Sequence, residues 1–190
     1  MTSPADAYLQ RVSRGMVGMD RRVRADVLRE LRSHLADAAA ETDEARAVAA
    51  AEPPAEVAAR YKRMYGYGRA FQTAFVALAI ALAIPTLPLL LYGDVLPRLA
   101  NAAAVAFLVL LVEYLMGVAL AAGWKVGLVA GMAACASRFG TLAALGAVAG
   151  AVVPDASGWL LFTASSLLLI VIGFVPGAAK ERWQHRDVGM

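Results

Sequence analysis

The sequence predicts an all-α protein in which a small N-terminal helical domain is followed by a four-helix transmembrane bundle. Hydrophobic residues make up 60% of the 190 residues, whereas a soluble domain usually contains roughly 45–50%. Charge is also divided unevenly, since residues 1–70 hold 12 of the 18 Lys and Arg residues and residues 71–190 hold the other 6. A water-soluble fold could not leave its second part this poor in charge. Lipid is therefore the expected solvent for that part.

The first 68 residues are predicted to form a cytoplasmic domain of four short helices. The longest should run from about Asp20 to Glu41, because its apolar residues recur at spacings of three and four and build one stripe. That stripe consists of Val23, Val27, Leu31, Leu35 and Ala38. A helix that opens at Pro4 precedes it, and two more follow, over about 43–51 and from Pro54 to Gly66.

Residues 69–178 are predicted to contain four transmembrane helices, and residues 179–190 a polar tail. The spans are expected at about 71–92, 101–123, 126–153 and 159–176. The first is free of charge over its whole length and long enough to cross about 30 Å of hydrocarbon. The fourth should stop at Pro176-Gly177, because proline and glycine interrupt helices.

The third span admits two interpretations. In the first, which we favour, it is one long helix with Arg138 near its middle. In the second, an interfacial helix over 124–137 precedes a short crossing over 139–153. Fifteen residues of helix rise only about 22 Å, which is short of a full crossing.

Tryptophan and basic residues define the expected orientation. Trp124, Trp159 and Trp183 fall at or just beyond the edges of the predicted spans, where aromatic belts lie. Lys and Arg concentrate before the first span, after the second and after the fourth, which assigns these segments to the cytoplasm by the positive-inside rule. We therefore expect a multi-pass protein of the inner (cytoplasmic) membrane with both termini in the cytoplasm.

Two predicted spans contain a charged residue: Glu113 lies in the second and Arg138 in the third. A charge within a span is costly and normally faces protein or water. Because the two helices are antiparallel neighbours, the two side chains could meet. One interpretation is an ion or proton site or a sensing switch, and the other, which we favour, is a structural ion pair that fixes the helix register.

Glycines recur at every fourth position in the second half of the chain, a spacing that allows close approach of helices in lipid. They are Gly123, Gly127 and Gly131, then Gly146 and Gly150. We expect these residues to pack helices within the bundle, with the interface of a homo-oligomer as the alternative.

The sequence contains no pattern that indicates catalytic chemistry. It has no phosphate-binding glycine loop, no nucleophile elbow and no metal-ligand spacing, because the two histidines, His34 and His185, are far apart. The net charge of +3 is spread along the chain, which does not favour direct binding of nucleic acid. We expect no enzymatic activity, no cofactor and no metal.

Two runs of the N-terminal domain form a distinctive pattern. The run from Glu30 to Asp37 reads E-L-x-x-H-L-x-D, and the run from Glu52 to Tyr61 reads E-P-x-x-x-V-A-x-x-Y. They resemble the HAAS signalling domain, whose patterns are E-L-x-x-H-L-x-D/E and D-P-x-x-V-A-x-x-Y, with Glu52 in place of the Asp and one additional residue before Val57. The resemblance covers roughly residues 5–66. It implies a non-enzymatic helical domain in front of transmembrane helices that acts through a cytoplasmic protein, often a PadR-like winged-helix transcription regulator.

Two functions follow from these features. The first is a membrane-anchored regulatory or signalling protein whose long N-terminal helix binds a protein partner. The contact residues would be the polar residues of that helix, namely Arg24, Arg29, Glu30, Arg32 and His34. The alternative is a small transporter, or an accessory subunit of a permease, with a polar site at Glu113 and Arg138.

Overall fold

The computed structural model describes residues 3–87, 98–149 and 156–187. The chain divides into two compact units, Met1–Phe71 and Gln72–Met190. Within the described residues every regular element is helical, which confirms the predicted all-α fold class. The helices are α1 Pro4–Gly15, α2 Arg21–Glu41, α3 Glu44–Ala50, α4 Pro54–Tyr65, α5 Arg69–Ala83 with a 3₁₀ turn over Ile84–Thr86, α6 Arg98–Ala122, α7 Trp124–Ala149 and α8 Ala156–Asp187.

Three polar side chains begin the helices of the N-terminal unit. The Ser3 hydroxyl accepts the Asp6 backbone N–H at 3.2 Å, and the Asp20 carboxylate accepts that of Arg22 at 2.9 Å. Asp43 caps α3 in the same way, through the backbone N–H of residue 46 at 2.9 Å. Each cap satisfies a backbone donor that has no partner within its own helix.

The core of the N-terminal unit is built around α1. Its buried residues are Tyr8, Leu9, Val12, Met16, Met19, Val27, Leu35, Val57 and Ala58. Val27 and Leu35 belong to the stripe predicted on the long helix, and Val23, Leu28 and Leu31 pack against the cluster as partly buried neighbours. The stripe was correctly predicted because period 3.6 selects one helix face regardless of which element covers it.

From Arg69 onward, the described part of the chain contains four helices that are long and apolar enough to cross a membrane. They cover Arg69–Thr86, Ala102–Ala122, Trp124–Ala147 and Ala156–Trp183. The third is a single continuous helix, α7, as we favoured from the sequence. Residues 88–92 of the predicted first span and 150–153 of the predicted third lie outside the described residues.

The prediction that the fourth helix ends at Pro176-Gly177 was wrong, because α8 continues through both residues to Asp187. Contacts made by the next turns hold this part of the helix. A Cβ atom at Gly177 would lie 2.7 Å from the carbonyl oxygen of Ala119, so α8 approaches the end of α6 closely. The Lys180 ammonium donates a hydrogen bond of 2.6 Å to the Leu120 carbonyl. The segment that we predicted as a polar tail is therefore helical over residues 179–187.

Candidate functional site

A groove opens on the N-terminal unit between α2, α3 and the start of α4, with a volume of about 480 Å³. We call it the α2–α3 groove. Leu31, Leu35 and Val57 contribute apolar surface to it, and the small side chains of Ala47 and Ala50 form its α3 wall. Its polar lining residues are His34, Glu41, Thr42, Arg46, Glu52 and Arg60. Apolar surface flanked by polar groups is the arrangement that receives one face of an amphipathic helix.

Tyr8 lines this groove and holds the start of α4. Its hydroxyl donates a hydrogen bond of 2.8 Å to the Glu52 carbonyl, and the Glu52 carboxylate pairs with Arg60 at 2.6 Å. Burial, followed by the Glu52 charge, raises the pKa of Tyr8 above 10.0, and Arg60 opposes this shift. Tyr8 therefore stays protonated at neutral pH and donates to the backbone.

The five residues predicted to bind a partner lie on α2, but they do not form one surface. Arg29 pairs with Asp26 at 3.2 Å on the exposed side of the helix. His34 lies 3.8 Å from Glu30 and is the one member of the set that lines the groove. Arg24 is half-buried near the start of α2. The groove was not predicted, since its α3 wall consists of alanines that carry no distinctive sequence pattern.

Arg32 has a structural contact that the sequence did not suggest. Its guanidinium bonds the Asp6 carboxylate at 2.9 Å and so joins α2 to α1. Both side chains are more than half exposed, and such a pair contributes only about 0–1 kcal/mol. Arg32 therefore links α1 to α2 but contributes little to the free energy of their packing.

In the second unit, the structure does not bring Glu113 and Arg138 together. Arg138 is 1% exposed, whereas Glu113 is exposed on α6. Leu111 and Leu115, both fully buried, lie two positions on either side of Glu113, and two residues correspond to about 200° around a helix. Glu113 therefore points away from the bundle, and the predicted ion pair is not formed.

Arg138 instead packs on an aromatic ring. Its guanidinium carbon lies 5.0 Å from the ring centroid of Phe162 on α8, a distance at which a cation is attracted to the ring face. Its Nε and Nη1 atoms are buried without a hydrogen-bond partner. Phe162 was not predicted as the partner of Arg138, because a ring in an apolar span carries no charge that would indicate it in the sequence.

Two of the five predicted packing glycines lie at the contact of α7 with α8. A Cβ atom at Gly127 would collide with the Gly173 carbonyl oxygen, and one at Gly131 would lie 2.6 Å from that of Leu169. Gly123 adopts a φ of +91° between α6 and α7, where glycine is favoured. Gly146 faces open space, since no atom lies within 4 Å of a Cβ built there. Gly150 lies outside the described residues.

The comparison with known families concerns the N-terminal unit, which carries the groove. Residues 7–60 match the HAAS family. This confirms the resemblance, over most of α1, the whole of α2 and α3 and the first half of α4. No curated protein and no solved structure matched the chain. Among the described residues, no group of three or more His, Cys, Asp or Glu side chains could hold a metal ion.

A HAAS domain followed by four candidate membrane-spanning helices fits a multi-pass membrane regulatory protein. HAAS domains are protein–protein interaction domains, which supports a protein partner for this chain. The α2–α3 groove and the exposed side of α2 are the surfaces of the domain on which such a partner could bind.

Proposed function

We propose that this chain is a non-enzymatic regulatory protein of the inner (cytoplasmic) membrane, with both termini in the cytoplasm. Its HAAS domain binds a cytoplasmic protein, which we propose to be a PadR-like winged-helix regulator, and its four spans keep that protein at the membrane. The observation that carries the proposal is the HAAS match over residues 7–60, directly before the first candidate span at Arg69.

The α2–α3 groove is the proposed binding surface. Its apolar residues would receive apolar side chains of a partner helix, and His34, Arg46 and Glu41 at its polar lining would select that helix by charge. Because the α3 wall of the groove consists of small alanine side chains, a long side chain introduced there would fill the groove.

The test measures binding of a purified PadR-like winged-helix regulator from the same organism to the full chain in lipid nanodiscs. Ala50 is exposed and lines the groove, whereas Ala49 is exposed on the same helix and does not line it. Ala50→Arg should weaken binding by at least about ten-fold, or about 1.4 kcal/mol. Ala49→Arg adds the same charge to the same helix and should leave the affinity unchanged.

Equal affinities of the two variants would exclude the groove. An Arg29→Glu variant would then test the exposed side of α2, where Arg29 and Glu30 lie. If the unaltered chain fails to bind the regulator at all, the proposed PadR-like partner is wrong.

A second candidate function is favoured by Arg138, because a buried charge within a membrane span marks a functional site by default. In this alternative the chain is a small transporter or a permease accessory subunit. Reconstituted into liposomes, the unaltered chain should then dissipate an imposed chloride or proton gradient, and Arg138→Gln should abolish the flux. Absence of flux from the unaltered chain removes the transporter.

A further inference from the structure

Two contacts bring the segment after α1, the start of α2 and the segment after α4 to one end of the HAAS domain. The Gly68 N–H donates a hydrogen bond of 2.8 Å to the Gly18 carbonyl. A Cβ atom at Gly68 would lie 2.9 Å from the backbone of Asp20. We call this the basal end, because the first candidate span begins beside it, at Arg69.

Basic residues concentrate at the basal end. Six of the 12 basic residues among positions 1–70 lie there, but only one of the ten acidic residues, the helix cap Asp20. The six are Arg14, Arg21, Arg22, Lys62, Arg63 and Arg69. The HAAS domain therefore carries a strongly positive surface beside the start of the first candidate span.

Acidic residues concentrate at the opposite end. The backbone N–H of Ala5 donates to the Glu44 carboxylate at 2.9 Å, and Tyr8 donates to the Glu52 carbonyl at 2.8 Å. These bonds bring the start of α1 beside α3 and the start of α4. The acidic residues of this end are Asp6, Asp37, Glu41, Asp43, Glu44, Glu52 and Glu56.

Four of the basal arginines are available for a ligand. Arg14, Arg21, Arg22 and Arg63 are exposed, and none of them forms an ion pair with a described residue. Elsewhere in the domain, four arginines are each paired with a carboxylate: Arg29, Arg32, Arg46 and Arg60. The positive charge that the domain leaves uncompensated thus lies mainly at its basal end.

Large apolar side chains are exposed among these arginines. Val17, Met64 and Tyr65 are 53%, 62% and 56% exposed. Val17 precedes the Gly18 contact, and Met64 and Tyr65 form the last turn of α4. A surface that combines exposed apolar residues with basic residues is typical of protein segments that lie in the interface of a lipid bilayer.

Chain connectivity limits how far this surface can lie from the bilayer. Met64 precedes Arg69 by five residues, which span at most about 18 Å. We propose that the basal end docks on anionic lipid headgroups. Arg14, Arg21, Arg22 and Arg63 contact the phosphates, and Val17, Met64 and Tyr65 enter the interfacial layer. This docking goes beyond the proposed function, and it does not depend on which protein the α2–α3 groove binds.

The test uses the full chain in nanodiscs of phosphatidylcholine, with or without phosphatidylglycerol. In a Cys135→Ala background, an environment-sensitive fluorophore is attached at Val17→Cys, and the lipids carry a nitroxide quencher. Quenching at position 17 should be stronger in discs that contain phosphatidylglycerol, and high salt should reverse the increase. A fluorophore at Ala40→Cys, exposed near the far end of α2, should show no dependence on lipid composition.

A charge-matched pair of variants tests the arginines. Arg14→Glu with Arg63→Glu should lower the ratio of docked to undocked domain by at least about 25-fold, since each basic residue at an anionic surface contributes about five-fold. Arg11→Glu with Arg29→Glu removes the same charge away from the basal end and should leave the quenching unchanged. Equal quenching in the two lipid compositions would overturn the proposal. So would salt-insensitive quenching, which indicates apolar insertion without phosphate contacts. Both of these readouts use the unaltered basal arginines, so they hold even if a variant fails to fold.

Discussion

A single phenol, Tyr8, connects the core of the HAAS domain to the wall of its groove. Only the protonated hydroxyl can donate to the Glu52 carbonyl at 2.8 Å. The neighbouring Glu52 carboxylate disfavours a second negative charge there, and Arg60 compensates only in part. Loss of the proton from this one side chain therefore removes the hydrogen bond that links α1 to the segment before α4.

We predict that Tyr8 makes the domain sensitive to alkaline pH. Because the pKa of Tyr8 is raised above 10.0 in the folded state, its contribution is fully present below that value. The contribution is lost as the pH rises through the raised pKa. Tyr8→Phe should cost about 1 kcal/mol at neutral pH, because the hydrogen bond is lost, and should reduce the alkaline loss. Circular dichroism against pH measures both effects.

Tyr65→Phe is the matched control for this experiment. Tyr65 is 56% exposed, so its replacement should change neither the neutral stability nor the alkaline transition. An alkaline transition that persists undiminished in Tyr8→Phe would show that another group is responsible.

Arg138 shows where prediction from residue types reaches its limit. Charge and hydropathy identified Glu113 and Arg138 as the unusual residues of the spans. The direction in which each side chain points depends on which faces of α6 and α7 pack against other helices. These two helices are only weakly amphipathic, so the sequence did not predict their packed faces. Only the packed bundle shows that Arg138 faces Phe162 while Glu113 faces outward.

We predict that Arg138→Met stabilises the bundle. A charged residue at the centre of a span costs about 2.5–3.5 kcal/mol, and a desolvated cation–π contact returns about 2 kcal/mol. Removing the charge at similar side-chain length should therefore raise the free energy of unfolding by about 1 kcal/mol. Thermal unfolding in detergent measures this change. Arg182→Met, exposed near the end of α8, is the control, and a lower stability of Arg138→Met would show that the guanidinium has a stabilising partner.

At the scale of the element, the contact between α7 and α8 depends on glycine in both helices. Gly127 faces Gly173, and Gly131 faces Leu169, so the two helices run antiparallel with their backbones almost touching. The sequence predicted Gly127 and Gly131 from their spacing. It gave no role to Gly173 and Gly177, because α8 was expected to stop at Pro176. The prediction that a helix ends at proline assumes that water hydrogen-bonds the backbone carbonyl that proline leaves without a partner. Within a membrane, neighbouring helices can satisfy that carbonyl instead.

We predict opposite effects for alanine at two glycines of α7. Gly127→Ala would place a methyl group against the Gly173 carbonyl oxygen, and such overpacking costs about 1–3 kcal/mol. Gly146→Ala adds the same group in open space and should gain up to about 1 kcal/mol from helix propensity. Denaturation of the two variants in the same detergent compares them directly. A loss of stability for Gly146→Ala equal to that for Gly127→Ala would contradict close packing at Gly127.

For the whole molecule, the sequence predicted the architecture better than the sites. The polar domain, the four apolar helices and the boundary near residue 68 follow from how charge and hydropathy are distributed along the chain, and the structure divides the chain after Phe71. The groove and the basal end are different in kind. Each is formed by residues from three helices that are distant in sequence, as Arg14, Arg21 and Arg63 are at the basal end. No single segment of the sequence therefore shows a pattern that predicts either surface.

The orientation of the chain is the remaining prediction, and it concerns the molecule as a whole. Four spans with the Lys and Arg distribution of this chain should place both termini in the cytoplasm. In a Cys135→Ala background, single cysteines are introduced at Ala40 in the HAAS domain, at Glu181 near the end of α8, and at Asp94 between the first two spans. A membrane-impermeant maleimide should label position 94 in intact spheroplasts and positions 40 and 181 only after the membrane is opened. Labelling of position 40 in intact spheroplasts would invert the topology and move the HAAS domain away from any cytoplasmic regulator. Labelling of 181 but not 40 would require an odd number of crossings.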